Sequence, residues 1–122
     1  MTTDTATTRT VARRYFDAWT SGEGPDALRP LLHDSFVFDA GQHRVEGREA
    51  FLAGGGWPER ATTTMVAEGY DGQDAFQLYR AVHGASAVKI AEHLTVVDGR
   101  IAASEIIVDG AAFMAFMTGA AS

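Results

Sequence analysis

Apolar positions recur with helical spacing in the first half of the chain and alternate with polar positions in the second half. Alternation with a period of two is typical of strands whose two faces differ in polarity. The sequence therefore predicts an α+β fold, in which a curved antiparallel sheet wraps around N-terminal helices. The predicted helices cover residues 8–21, a short stretch after Pro25, and residues 47–52; the predicted strands cover 35–39, 62–70, 75–83, 87–97 and 101–108.

One acidic residue interrupts the apolar face of the predicted strand 87–97. Alternation places five residues on this face: Val88, Ile90, Glu92, Leu94 and Val96. A buried carboxyl group either has a partner or keeps its proton, and a neutral carboxylic acid can donate a hydrogen bond to a substrate. Taken alone, Glu92 is more typical of a structural acid than of a functional one.

Asp98 and Gly99 predict a tight hairpin after this strand. With a two-residue loop, Glu92 would face Glu105 across the hairpin. With a three-residue loop and a bulge, it would face Ile106, with Ser104 and Val108 on the same face.

Two further polar residues occur among apolar neighbours. Tyr15 shares a helical stripe with Val11, Ala18 and Trp19, and Asp39 ends the strand 35–39. A buried tyrosine hydroxyl usually has a hydrogen-bond partner. Ordinary helix packing for Tyr15 and turn capping for Asp39 are the simpler interpretations of each residue alone.

Composition narrows the function further. The 122 residues suit one domain over residues 9–122, with residues 1–8 expected to be a disordered lead-in. The absence of cysteine excludes disulfides, thiol catalysis and cysteine-ligated metal, and favours a cytoplasmic protein. A net charge of −6 with no basic cluster argues against nucleic acid, and no apolar run is long enough for a membrane span.

The remaining polar candidates are weaker. The four histidines, at positions 33, 43, 83 and 93, are scattered without metal-ligand spacing, so no metal is expected. Arg80 could bind an anionic ligand, but it is more typical of a salt-bridge partner. The three glycines at 54–56 lack the context of a phosphate-binding loop.

Four segments resemble the ketosteroid isomerase and SnoaL-like branch of the nuclear-transport-factor-2-like superfamily. They are VARRYFDAWTSG (residues 11–22), LLHDSFVFDAG (31–41), VEGREAFLA (45–53) and AEHLTVVDGRIAASEIIVDG (91–110). The resemblance implies a cone-shaped α+β fold. It also implies that Ser104, Ile106 and Val108 face inward, which favours the hairpin register with Glu92 opposite Ile106.

By this resemblance, Tyr15 matches the tyrosine that binds an oxyanion, Asp39 the general base, and Glu92 the protonated acid that completes the oxyanion hole. Two departures are visible. Glu replaces Asp at position 92, and the tyrosine that supports the oxyanion tyrosine is missing, so Trp57 is expected to cover the pocket instead. The implied pocket is lined by Trp19, Phe36, Trp57, Leu94, Ile106 and Val108.

The implied function is proton transfer next to the carbonyl group of a small hydrophobic molecule, without a cofactor. A SnoaL-like polyketide cyclase and a non-catalytic ligand-binding or dimerisation domain are the alternatives. A limonene-type epoxide hydrolase would need an Asp-Arg-Asp set, for which Arg80 with Asp39 and Glu92 is a poor substitute.

The resemblance also implies a homodimer formed through the sheet, on the face that carries Ala87, Ala91 and Ala102. The state of the cone separates the functional alternatives. An open cavity above Asp39 and Glu92 would favour an enzyme, whereas a cone filled by Trp19, Trp57, Phe113 or Phe116 would favour a binding or structural role.

Overall fold

The computed structural model describes residues 3–41, 43–54, 57–58 and 60–119. Its helices are α1 (Thr5–Thr20), α2 (Pro25–Leu28), α3 (Arg48–Leu52) and α4 (Gly110–Thr118), and a 3₁₀ turn covers Arg29–Leu31. Its strands are β1 (Leu32–Asp39), β2 (Arg44–Glu46), β3 (Thr62–Asp71), β4 (Asp74–His83), β5 (Ser86–Val97) and β6 (Arg100–Ile107). None of the described helices is long and apolar enough to cross a membrane.

The six strands form one mixed sheet in the order β2-β1-β6-β5-β4-β3, in which β1 and β6 are parallel and all other neighbours are antiparallel. The sheet is curved and, together with the N-terminal helices, gives a cone-shaped α+β fold. The predicted fold class is therefore confirmed. The short strand β2 was not predicted, because Val45 is its only apolar residue.

The first helix begins earlier than predicted. Asp4 caps it, accepting a hydrogen bond from the backbone N–H of Thr7, and the buried hydroxyl of Thr8 donates to the carbonyl of Gly72 at 2.6 Å. The Thr5 hydroxyl in turn accepts from the N–H of Gly72. A disordered lead-in over residues 1–8 is thus wrong for residues 5–8, which are helical and bind the β3–β4 turn through Thr5 and Thr8.

The second helix ends at Leu28, and the chain is extended again from Leu32. Pro30 lies in the 3₁₀ turn, and β1 starts at Leu32 rather than at Ser35. Leu32 is fully buried as the first residue of β1.

The β5–β6 hairpin has the register that the family resemblance favoured, but a bulge within β6 causes it and not a longer loop. Glu92 faces Ile106, as expected. The loop, however, contains only Asp98 and Gly99, both with positive φ, as a tight type I′ turn requires. The register shifts further along, at Ala102, which is an extra residue between Ile101 and Ala103.

Alternation along β5 defines the two faces of the sheet. The inner face carries Glu92 and its buried alternate neighbours, and the outer face carries Lys89, Ala91 and His93. Helix α1 packs on the inner face through Ala12, Tyr15, Phe16 and Ala18. Helix α4, capped by Asp109, docks there through Phe116, which is fully buried.

Candidate functional site

The Glu92 carboxyl group lies on the inner face, held between hydroxyl groups from the two neighbouring strands. Only 5% of the residue is exposed. Tyr79 on β4 donates its hydroxyl hydrogen to Oε1 at 3.0 Å, and Ser104 on β6 donates to Oε2 at 2.5 Å. Because each oxygen has its own donor, the carboxyl group is fixed in position.

Burial raises the pKa of Glu92 above its ordinary value. Loss of water disfavours the charged form, while the hydrogen bonds from Ser104 and Tyr79 favour it and offset part of the shift. The result is a carboxyl group that holds its proton more tightly than a surface glutamate. Such a shift brings a carboxylate closer to the proton affinity that suits general acid–base chemistry near neutral pH.

Two tyrosines accompany this acid, and both keep their protons. Burial, followed by the nearby charge of Glu92, raises the pKa of Tyr15 and of Tyr79 well above the ordinary value. Tyr79 uses its hydroxyl hydrogen on Glu92. Among the described residues, Tyr15 makes no hydrogen bond through its hydroxyl group, so it remains a neutral donor without an acceptor.

Asp39 does not join this group. It pairs with Glu105 in the β1–β6 register, whereas the preceding pair, Phe38 and Ser104, faces inward. Because successive residues of a strand face opposite sides, the Asp39 side chain belongs to the outer face. Its carboxylate accepts a hydrogen bond from the N–H of Gly41 at 2.8 Å and lies 3.6 Å from the Arg44 guanidinium. The expectation that Asp39 shares the cone with Tyr15 and Glu92 is therefore wrong, because strand alternation turns it outward.

Aromatic side chains cover the inner face at the α4 end. The ring of Trp57 lies 4.7 Å from that of Trp19 and 4.9 Å from that of Phe116. We call these three residues the aromatic cap. Trp19 also contacts the Tyr79 ring at 5.3 Å, so the cap reaches the residue that binds Glu92. Trp57 thus covers this end of the inner face, where its ring packs on Trp19 and Phe116.

The six expected pocket residues divide between two packed clusters. Phe36 and Leu94 are fully buried in the cluster around Ala12 and Leu32. Trp57, Ile106 and Val108 pack with Tyr79 and Phe116, and Trp19 contacts both clusters. Residues of the second cluster are therefore the better placed to line a ligand site above Glu92.

Two depressions lie at the surface of the molecule, and Glu92 is among the residues that line the second one. A cleft of about 740 Å³ separates α1 from α2 and is lined by Arg13, Arg14, Asp17 and Glu23, among others. A second depression of about 490 Å³ lies on the outer face, beside Phe76, Ala91 and Ile107. Arg80 also belongs to the outer face and is exposed, so it does not join Glu92 in an acid–arginine–acid set.

The histidines form no metal site with acidic residues: within the described part of the chain, no three His, Asp or Glu side chains are arranged to hold a metal ion. His93 bonds to Asp74 at 2.9 Å on the outer face, and His83 bonds to the carbonyl oxygen of Phe116 at 2.6 Å. The second contact holds α4 against the end of β4.

Sequence reasoning missed Tyr79 and Gln77. Alternation in β4 buries Ala75, Gln77, Tyr79 and Ala81 on the inner face. The β4–β5 register then places Gln77 directly opposite Glu92. The same alternation that singled out Glu92 could have identified both residues, once the strands were paired.

The sequence model of the SnoaL-like domain matches residues 12–104. No curated protein matches the chain. Among solved structures, a Kribbella flavida protein provisionally assigned as a ketosteroid isomerase is 26% identical, with a TM-score of 0.77 over 88% of this chain and 81% of that one.

Two other solved structures share the fold. A Jannaschia protein provisionally assigned as a SnoaL-like polyketide cyclase is 18% identical, with a TM-score of 0.78 over 93% and 92% of the two chains. An epoxide hydrolase from M. tuberculosis, of the LEH-like type, is 19% identical, with a TM-score of 0.70 over 94% and 92%. At these identities the likeness concerns the fold alone.

Proposed function

The chain belongs to the SnoaL-like domain family, and on that premise we propose that it binds a small hydrophobic carbonyl compound on the inner face and moves a proton at the adjacent carbon. The observation that supports this proposal is the buried carboxyl group of Glu92, with the unengaged hydroxyl of Tyr15 nearby. A base next to a neutral donor is the minimum that enolate chemistry requires.

Each residue has a defined role in this scheme. Glu92, in its ionised form, takes the proton from the carbon next to the carbonyl group, and the bonding electrons move to the carbonyl oxygen. Tyr15 donates a hydrogen bond to that oxygen. Tyr79 and Ser104 hold the carboxylate, and Glu92 then returns the proton to the same molecule.

This assignment revises the scheme that the family resemblance implied. There, Asp39 was the base and Glu92 a neutral donor. Because Asp39 lies on the outer face, Glu92 becomes the proton acceptor, and Tyr15 is the donor to the carbonyl oxygen. Isomerisation and polyketide cyclisation both begin with this proton transfer, so the scheme covers either outcome.

A non-catalytic ligand-binding domain is the second candidate, and the aromatic cap favours it. Trp19, Trp57 and Phe116 cover the inner face beside Tyr79, so a ligand that enters from the α4 end must displace at least one of these rings. A protein that only stores or senses a hydrophobic compound needs no open path to its acid.

We also propose that two copies associate through the outer face. Exposed Ile107 lies in an apolar row with Leu78 and Ala91, between a basic end and an acidic end of the face. The basic end carries Arg80 and Lys89, and the acidic end carries Asp74 and Glu105. A two-fold axis along the apolar row would place the basic end of one copy over the acidic end of its partner.

Titration with phenols that resemble an enolate tests the proposed site. We expect 2-naphthol or 4-nitrophenol to bind to the wild type and to Asp39→Asn and to pass its proton to Glu92, so that the absorption of the ionised phenol appears. The Glu92→Gln variant should bind the neutral phenol only. Binding without ionisation in the wild type would reject catalysis in favour of the binding role, and no binding would reject both.

A further inference from the structure

A chain of hydrogen bonds beside the site fixes the orientation of a buried amide group. Arg13 donates to Glu68 at 2.6 Å, and the Tyr70 hydroxyl donates to the same carboxylate oxygen at 2.8 Å. Because the Tyr70 hydroxyl donates its only hydrogen to Glu68, its oxygen can act toward Gln77 only as an acceptor. The amide nitrogen of Gln77 therefore points to Tyr70, at 3.2 Å.

This orientation leaves the Gln77 side-chain oxygen without a donor. Gln77 is only 3% exposed, and among the described residues no group donates to its Oε1. A buried acceptor without a partner costs about 1–3 kcal/mol, which is why native proteins rarely leave one unless another molecule supplies the donor. Gln77 lies directly opposite Glu92 in the β4–β5 register and shares its face.

Two buried donors near the same face are also unpaired. Neither indole N–H of Trp19 and Trp57 has an acceptor among the described residues. Both tryptophans belong to the aromatic cap, and Trp19 contacts the Tyr79 ring. A purely hydrocarbon ligand would leave the N–H groups of Trp19 and Trp57 and the Gln77 oxygen unsatisfied, so the polar lining indicates a more polar compound.

We infer that the compound bound on the inner face carries a hydroxyl or N–H group in addition to its reacting carbonyl, and that Gln77 accepts the hydrogen bond from this group. The inference rests on the proposed function, since it assumes that the carbonyl lies between Glu92 and Tyr15. It makes Gln77 a specificity-determining residue, and carbonyl compounds with an added hydroxyl or N–H group the class of ligand. The Arg13–Glu68–Tyr70 chain is what holds its amide in the accepting orientation.

Binding of substituted tetralones tests this inference. The probes are 1-tetralone, the three isomeric hydroxytetralones with a ring hydroxyl at carbon 5, 6 or 7, and the methyl ether of each isomer. Affinities are followed by the fluorescence of the two tryptophans of the chain. We expect one hydroxyl isomer to bind the wild type roughly tenfold more tightly than its methyl ether, as one added hydrogen bond would allow.

The Gln77→Leu variant should lose that tenfold preference. Tyr70→Phe, which frees the amide to rotate, should reduce the preference without abolishing it. If 1-tetralone binds but no isomer is preferred over its ether, or if Gln77→Leu keeps the preference, the inference is wrong. If no tetralone binds, the proposed carbonyl site itself is wrong. The wild-type comparison stands even if Gln77→Leu fails to fold.

Discussion

Asp39 and Glu105 lie side by side on the outer face of the sheet, whereas the preceding pair, Phe38 and Ser104, faces inward. Asp39 follows the inward-facing Phe38 by one residue and therefore faces outward, although it was expected in the cone. Ser104, the partner of Phe38, faces inward and binds Glu92. Position along the chain suggested a site with two carboxylates. The strand register leaves one, with hydroxyl groups around it.

Stability should depend on pH through Glu92. Well below the ordinary value of 4.5, the folded and unfolded states both hold this proton, so burial has no electrostatic cost. As pH rises above 4.5, the unfolded state ionises first, because burial raises the folded-state pKa. The wild type should therefore lose stability relative to Glu92→Gln as pH rises from 4.5 towards neutrality. Urea unfolding of both proteins across this range measures the difference; a constant difference would contradict the raised pKa.

The two inner tyrosines should separate stability from activity. Tyr79→Phe removes a hydrogen bond to a buried acid and should lower the free energy of unfolding by about 1–3 kcal/mol. Tyr15→Phe removes a hydroxyl group with no partner among the described residues, so it should not lower the free energy of unfolding. The same Tyr15 variant should slow proton transfer roughly 10²–10³-fold. Equal effects of the two substitutions on unfolding would show that Tyr15 is merely a packing residue.

Two turn glycines offer a matched test of how α4 is held. Gly72 and Gly84 have φ values of +58° and +59°, so alanine costs about 1–2 kcal/mol of backbone strain at either position. At Gly84 the new Cβ would also lie 2.8 Å from the carbonyl oxygen of Gly119, at the end of α4, whereas at Gly72 it meets nothing. Gly84→Ala should therefore loosen the aromatic cap and increase acrylamide quenching of tryptophan fluorescence. Equal quenching in both variants would mean that this contact does not hold the cap.

The proposed dimer can be tested by substitution of two apolar residues that are exposed to a similar extent. Ile107, on the outer face, is 72% exposed, and Met114, on α4, is 65% exposed. Ile107→Glu should convert the dimer to a monomer in sedimentation velocity, since it buries a charge in the apolar row. Met114→Glu should leave the mass unchanged. A wild-type monomer, or dissociation by Met114→Glu alone, would contradict an interface on the outer face.

Much of the fold could be predicted from the sequence because period-two alternation is strong in the four C-terminal strands. That alternation correctly placed Glu92 among Val88, Ile90, Leu94 and Val96. The hairpin register was correct, but its cause was not, because the bulge at Ala102 follows no local sequence signal. The start of α1 was predicted too late, because its first threonines are held by contacts with a distant turn, such as that of Thr8 with Gly72.

The site was less predictable than the fold because it depends on which strands are neighbours. Tyr79 and Ser104 reach Glu92 from β4 and β6, and only the paired registers show this. Asp39 was misplaced for the same reason. It ends an apolar strand, but its partner in the parallel pair, Glu105, faces outward.

Exchange of the carbon-bound protons next to the carbonyl of 1-tetralone in D₂O, followed by NMR, tests most directly whether Glu92 transfers protons. We predict that the wild type accelerates exchange, that Asp39→Asn matches it within about twofold because Asp39 lies on the outer face, and that Glu92→Gln slows exchange by roughly 10²–10⁴-fold. Equal exchange by Glu92→Gln and wild type, or a large loss in Asp39→Asn alone, would contradict the account.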